Sequence, residues 1–272
     1  MATPLGKQLF ASSRELFRQD RQMIWLPVLG GIFATLGGLI VGGALAGVFY
    51  AAGLHGALYV IAGAVALFVI TFIAAFFNLA VVFAATDRLE GRTPSISSAL
   101  AQSWGRRRVL APWALLATAV GLIIQAIEER AGFLGSLLGF LGGLAWAVAT
   151  FFVLPIVAFE NLGPMALVKR SSSLLKDRFG AVVRSSVRFG LAYVGWFFLG
   201  IALLVGGIFG ASVSPAFLVL AAAGVVVLVI VAMLTSVISL YLRTILYRYA
   251  TDQPIPGIDF DLSQVFVSNK RR

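Results

Sequence analysis

Apolar residues in this chain do not alternate with polar ones but run on for about twenty positions at a time, the length a membrane span requires. The runs occupy Trp25–Phe49, Ala57–Ala85, Val109–Ile127, Phe133–Phe159, Val187–Gly210 and Ala216–Leu242. A hydrocarbon core about 30 Å thick is crossed by roughly 20 helical residues, so each run predicts a transmembrane helix. A transmembrane β-barrel would instead need strands of about ten residues with alternating polarity, which the runs lack. The expected fold class is therefore all-α, a polytopic membrane protein with six transmembrane helices. Short connections at Tyr50–Gly56, Glu128–Gly132 and Ala211–Pro215 join the spans into three hairpins, and long charged ones at Thr86–Arg108 and Glu160–Ser186 separate them.

A different periodicity precedes each hairpin. Segments opening at Thr3-Pro4, Thr93-Pro94 and Gly163-Pro164 are amphipathic, and proline suits the first helical position, where its missing N–H costs nothing. In the second, Ile96, Ala99, Leu100, Ser103 and Trp104 fall on one helical face; Leu5, Leu9, Leu16 and Phe17 do so in the first, and Leu167, Ser171, Leu174 and Leu175 in the third. Each segment ends in a basic cluster. The chain thus reads as a single membrane domain with an internal repeat of interfacial elbow helix, basic turn and two spans, at about 3–85, 93–159 and 163–250, followed by a C-terminal tail, 251–272. An apolar face with a basic rim suits a helix lying in the headgroup plane. The same face could equally pack against the spans, since amphipathicity alone does not separate the two.

Charge orients the spans. Of the 21 lysines and arginines, all but Arg130 lie in the two termini, the two long connections or the turns that border them. Basic residues near span ends stay on the cytoplasmic side, which places both termini there, in the cytoplasmic (inner) membrane. The first apolar run is too long for a signal-peptide core and reads as a retained anchor. Apolar residues make up 60% of the 272 and charged residues 12%, too little charge for a water-soluble surface. The net charge of +10 flanks spans rather than forming a soluble patch with interleaved aromatics, so anionic lipid headgroups, not nucleic acid, are the expected partners. The residues expected to contact them are Arg18, Arg21, Arg106, Arg107, Arg108, Lys169, Arg170, Lys176 and Arg178.

Polar residues inside spans are costly in hydrocarbon and are the first place to seek a site. Thr71 and Asn78, seven apart, share a face of the second span; Gln125 lies near the outer end of the third and Glu160 at the inner boundary of the fourth. These four form the candidate intramembrane polar site for a small polar ligand. Alternatively Asn78 and Gln125 bond across helices and Glu160 pairs with a loop arginine. Glycines spaced four apart, Gly38 with Gly42, Gly43 with Gly47, Gly135 with Gly139 and Gly143, and Gly206 with Gly210, are expected to let spans pack closely.

Catalytic chemistry is poorly provided for. There is no cysteine and His55 is the only histidine, which excludes thiolate and multi-histidine metal sites and leaves serines such as Ser171, Ser172 and Ser173 without an activating base. No glycine-rich phosphate loop is present. Neither a metal nor a cofactor is expected, and no catalytic residue is assigned.

Several stretches together resemble a known family: Arg14 to Gly31 with Asp20-Arg21 and Trp25-Leu26-Pro27, Phe76-Phe77-Asn78, Ile127-Glu128-Glu129-Arg130, Ala145-Trp146 to Pro155, Glu160-Asn161-Leu162-Gly163-Pro164 before Lys169-Arg170-Ser171, and Leu246-Tyr247-Arg248-Tyr249-Ala250. The resemblance, over nearly the whole chain, is to an uncharacterised family of prokaryotic six-span membrane proteins, a domain of unknown function. A more distant similarity of plan is to the membrane domain attached to some glycerophosphodiester phosphodiesterases, from which no catalytic residue carries over. The expectation is a non-enzymatic multi-pass protein that interacts with lipids or organises the membrane. The alternative is a small-solute or lipid transporter built from repeated hairpins.

Overall fold

The computed structural model describes residues 21–54, 56–130, 132–179, 191–212 and 214–254, and every regular element among them is helical. After a 3-10 turn at Arg21–Ile24 come α1 (Trp25–Ala51), α2 (Ala57–Leu89), α3 (Ile96–Gly105), α4 (Arg107–Arg130), α5 (Gly132–Ala149), α6 (Val153–Phe159), α7 (Pro164–Phe179), α8 (Leu191–Gly210) and α9 (Leu218–Ala250). Helices dominate because hydrocarbon offers no partner for a backbone N–H or C=O, and a helix satisfies both within itself. Five stretches are long and apolar enough to cross a membrane: Gln22–Ala51, Ala57–Leu89, Arg107–Glu129, Leu134–Phe159 and Pro215–Ala250. Gly195–Gly210, in α8, is equally apolar but shorter over its described residues.

Two expected spans differ from their sequence reading. The run Phe133–Phe159 is not one helix: it breaks at residues 150–152 between α5 and α6. The last run does not stop at Leu242, because α9 continues to Ala250 and carries Arg243 and Arg248 within it. Arginine is a good helix former and its long side chain can reach polar surroundings from a buried backbone.

Adjacent helices pack along each other, α1 with α2, α4 with α5 and α8 with α9. The turn between α1 and α2 uses Gly53 and Gly56 at φ 66° and 74°, where a side chain would be strained. Close approach falls on only some of the expected glycines. A Cβ on Gly38 would lie 2.6 Å from Ile70 Cδ1, and one on Gly42 would lie 2.8 Å from Ala66 Cβ, so α1 and α2 do meet there. Gly43, Gly47, Gly143 and Gly206 face open space, and Gly139 lies against the Glu128 side chain. The α8–α9 contact is made instead by Gly200, Gly207 and Gly224: a Cβ on Gly224 would sit 2.8 Å from the Gly200 carbonyl oxygen.

The core lies at one end. Buried residues gather in the last part of α2 (Phe77 to Leu89), in α6 and in the last part of α9 (Val237 to Ala250), joined by Met23, Leu26, Leu110, Leu167 and Leu174. Arg88, Arg92, Arg106 to Arg108, Lys169, Arg170, Arg243 and Arg248 cluster at this end in sequence, and it is called the basic end below. The helices before the second and third helix pairs each bury part of one face. In α3, Ala99 and Ser103 are buried and Trp104 is exposed; in α7, Leu167, Ser171 and Leu174 are buried. Pro164 opens α7 as expected, but α3 starts two residues after Pro94, behind an extended Ser95. The first amphipathic segment lies outside the described residues.

Candidate functional site

The four polar candidates do not converge. Gln125 donates from Nε2 to Glu129 Oε1 at 2.9 Å, one turn along the same exposed face of α4 and away from the basic end. Glu160 stands at the basic end, where its Oε1 accepts from Tyr247 Oη at 3.0 Å and from Arg170 Nε at 3.2 Å. This is the pairing with a loop arginine that the sequence left open. Thr71 and Asn78 are half-buried on α2.

A charge network absent from the sequence reading ties the basic end together. Asp87, only 6% exposed on the last turn of α2, accepts from Arg92 Nε at 3.0 Å and from Gln102 Nε2 of α3 at 3.4 Å. Glu90 pairs with both Arg92 and Arg248, and Arg248 reaches Gln253 Oε1 from its Nε at 3.4 Å. Gln22 donates to the Pro94 carbonyl at 3.2 Å, and Gly91 at φ 75° lets the chain turn back. Burial pushes the Glu90 carboxyl up, but hydrogen bonds and charge from Arg248 and Arg92 outweigh it and hold the group below the ordinary carboxylate range. Hydrogen bonds that the Arg92 guanidinium donates to Asp87 and Glu90 hold it still more firmly protonated than usual. The signal available in the sequence was the alternation Asp87-Arg88-Leu89-Glu90-Gly91-Arg92 directly after a span.

Beside this network, α1, α2 and α3 enclose an apolar groove of about 310 Å³ lined by Phe33, Phe72, Ile73, Phe76, Phe77 and Trp104. Its aromatic rings form a continuous ladder. Phe33 stacks on Phe77 at 5.9 Å between centroids, Phe77 meets Phe76 edge-on at 5.5 Å, and Phe76 meets Trp104 edge-on at 6.3 Å. Arg107 covers the last of these rings: its guanidinium lies 4.9 Å from the Trp104 ring centre while Nη1 donates to the Trp104 carbonyl at 2.9 Å. A groove walled by carbon, with a cation over one of its rings, can hold an acyl chain while its anionic head meets the arginine.

Of the residues expected to meet headgroups, Arg106 and Arg107 are half-buried and Arg108, Lys169, Arg170 and Lys176 exposed, with Arg170 committed to Glu160. Among the described residues no ion pair involves Arg106, Arg107 or Arg108. Arg18 lies outside the described residues, Arg21 opens the 3-10 turn, and Arg178 belongs to α7. No group of three or more His, Cys, Asp or Glu placed to hold a metal ion occurs among the described residues.

No curated protein and no solved structure matches the chain. Residues 57–256, well over half of it and covering α2 to α9, match the model of the Family of unknown function (DUF6159). The chain belongs to that family.

Proposed function

We propose that this protein is a six-span component of the cytoplasmic membrane that binds lipids of the inner leaflet, with both termini on the cytoplasmic side and no catalytic role. The observation that carries this reading is the aromatic groove between α1, α2 and α3 with Arg107 over its Trp104 ring. In hydrocarbon an apolar groove has no reason to stay empty, and an acyl chain fills it at no cost in polarity. The α8 helix supplies the sixth span, and 20 of the 21 basic residues then face anionic headgroups on one side. The amphipathic α3 and α7 pack on the spans by their buried faces and present basic rims to the same surface. Transport is the weaker reading, since Gln125 and Glu160 lie at opposite ends of the molecule and each is engaged in a local contact.

Quenching by brominated lipid tests the proposal. Chain-brominated phosphatidylglycerol is expected to quench tryptophan fluorescence more than its phosphatidylcholine counterpart, and Trp104→Phe to remove most of the excess. Phe76→Ala and Arg107→Gln should each weaken the phosphatidylglycerol preference severalfold, by about 1 kcal/mol. Equal quenching by both lipids, unchanged in Trp104→Phe, sinks the reading.

A further inference from the structure

Arg243 carries a second inference, independent of the groove. It sits on α9 five residues before Arg248, so it lies about 7.5 Å deeper along the helix than the Arg248–Glu90 pair. Its guanidinium carbon is 4.6 Å from the centre of the Phe151 ring. Nε is sealed from solvent with no hydrogen-bond partner, and among the described residues no ion pair involves Arg243. The nearby acids are already committed: Asp87 to Arg92, Glu90 to Arg92 and Arg248, Glu160 to Arg170 and Tyr247. Arg243 as a whole is half-buried, and a cation partly withdrawn from solvent without counter-charge near hydrocarbon is unfavourable, which one phenyl face offsets only in part.

Phe151 itself belongs to the break in the fourth apolar run. The break is held by α7: Ser171 Oγ accepts from the Phe152 N–H at 3.0 Å, and Ser172 Oγ donates to the Ala149 carbonyl at 3.4 Å. Thr150 Oγ1 donates back to the Trp146 carbonyl at 2.7 Å. With the Phe152 N–H and the Ala149 carbonyl taken up by α7, and Pro155 unable to donate to the Phe151 carbonyl, the break is a built feature that sets one aromatic ring under one arginine. Non-helical backbone at membrane depth is tolerated where it is buried in protein or lines a cavity, and transporters place their substrates at such breaks.

We propose that Arg243, stacked on Phe151, binds a phosphate-bearing anion. The planar guanidinium matches phosphate oxygens two at a time, which an ammonium does not. The phosphate could be that of a phospholipid entering sideways or a free phosphate from solution, and the chemistry of recognition is the same.

The full chain in nanodiscs decides between these sources and tests the site. Native mass spectrometry in phosphatidylglycerol against phosphatidylcholine reads retained lipid, and thermal unfolding with added inorganic phosphate reads the free anion. The wild type is expected to retain one more anionic lipid per chain than Arg243→Gln, or to be stabilised by phosphate, with Arg243→Gln weakening whichever is seen about tenfold. Lipid retention without stabilisation by phosphate identifies the lipid headgroup; the reverse identifies the free ion. Arg243→Lys keeps a cation at the position, so it should fold, yet it loses the two-pronged contact and should bind severalfold more weakly. Phe151→Leu should weaken binding less than Arg243→Gln. Binding of neither phosphate nor anionic lipid, or affinity unchanged in Arg243→Lys and Arg243→Gln, overturns the proposal. The groove variant Arg107→Gln should leave this binding intact, so failure of one site leaves the other standing.

Discussion

The same helices behave differently at their two ends. In α2, Leu79 to Ala85 are buried without interruption, whereas Tyr59, Val60, Ile61 and Leu67 are exposed; in α9, Tyr241, Thr244, Ile245 and Tyr247 are buried, whereas Leu218, Val219, Val225 and Ile230 are exposed. Both ends are apolar, so hydropathy does not make the difference. What differs is the number of elements that meet. At the basic end α2, α6 and α9 pack together with α3 and α7 over them, and the Asp87, Glu90 and Glu160 pairings cross between elements. At the far end each helix packs chiefly on its own partner. In lipid, apolar exposure carries no penalty, so cohesion comes from packing and interhelical polar contacts. The basic end has both and the far end has mainly the first.

The largest expected effect follows from that contrast. Leu79→Ala and Ile245→Ala each remove a fully buried side chain, whereas Leu39→Ala and Phe209→Ala remove side chains that are 67% and 75% exposed. In a water-soluble core such truncations cost about 2–5 kcal/mol. Here the unfolded reference also sits in hydrocarbon, so the transfer part falls away and about 1–3 kcal/mol remains for the cavity and lost contacts. The far-end pair should stay within about 0.5 kcal/mol of wild type. Thermal unfolding in one detergent compares all four. Equal losses at both ends would erase the distinction between them.

A finer test asks whether the far end is loose or merely paired. Gly224→Ala places a methyl group 2.8 Å from the Gly200 carbonyl oxygen, against backbone that must shift, and should cost about 1–3 kcal/mol. Gly206→Ala meets nothing within 4 Å and should gain about 0.5–1 kcal/mol from reduced backbone freedom in the unfolded chain. Opposite signs in unfolding midpoint would establish that α8 and α9 are tightly packed on one stripe and free on the rest. A neutral Gly224→Ala would mean that the far end is loose even within pairs.

How much of this was legible beforehand depended on the kind of signal. Apolar runs announce helices because the bilayer imposes their length, and α1, α2 and α4 start within two residues of the predicted positions. The break at Thr150-Phe151-Phe152 has a local signal, Pro155, which has no N–H for the Phe151 carbonyl; that Ser171 and Ser172 of a distant helix take up the Phe152 N–H and the Ala149 carbonyl is what no local pattern encodes. The glycine stripe was misplaced on α8 because spacing alone does not say which face meets the neighbour, and Gly207 rather than Gly206 does. Of the residues chosen for polarity inside spans, Gln125 and Glu160 make separate local contacts and do not meet each other. The aromatic groove and Arg243 were missed because their components look ordinary singly: Phe33, Phe76 and Trp104 lie on three elements, and Arg243 looked like one more basic residue beyond a span.

The smallest effect concerns what acid does to the basic end alone. Arg248 and Arg92 hold the folded Glu90 carboxyl below the pKa it has in the unfolded chain. A group depressed in this way stabilises the fold fully above its unfolded pKa, and the contribution disappears as the pH falls through the folded value. Glu90 is 31% exposed and Arg92 57%, so solvent screens the pairs and the whole contribution is about 0.2–1 kcal/mol. Unfolding midpoints should be flat at neutral pH and fall once the pH drops below the ordinary carboxylate range. In Glu90→Gln part of that fall should vanish, because the variant has no carboxylate to protonate and leaves Arg248 with a neutral partner at every pH. Leu39→Ala at the far end should keep the wild-type acid profile unchanged in shape. If Glu90→Gln also kept it, the arginine pairing at the end of α2 would contribute nothing to holding α2 and α9 together, and cohesion at the basic end would rest on packing alone.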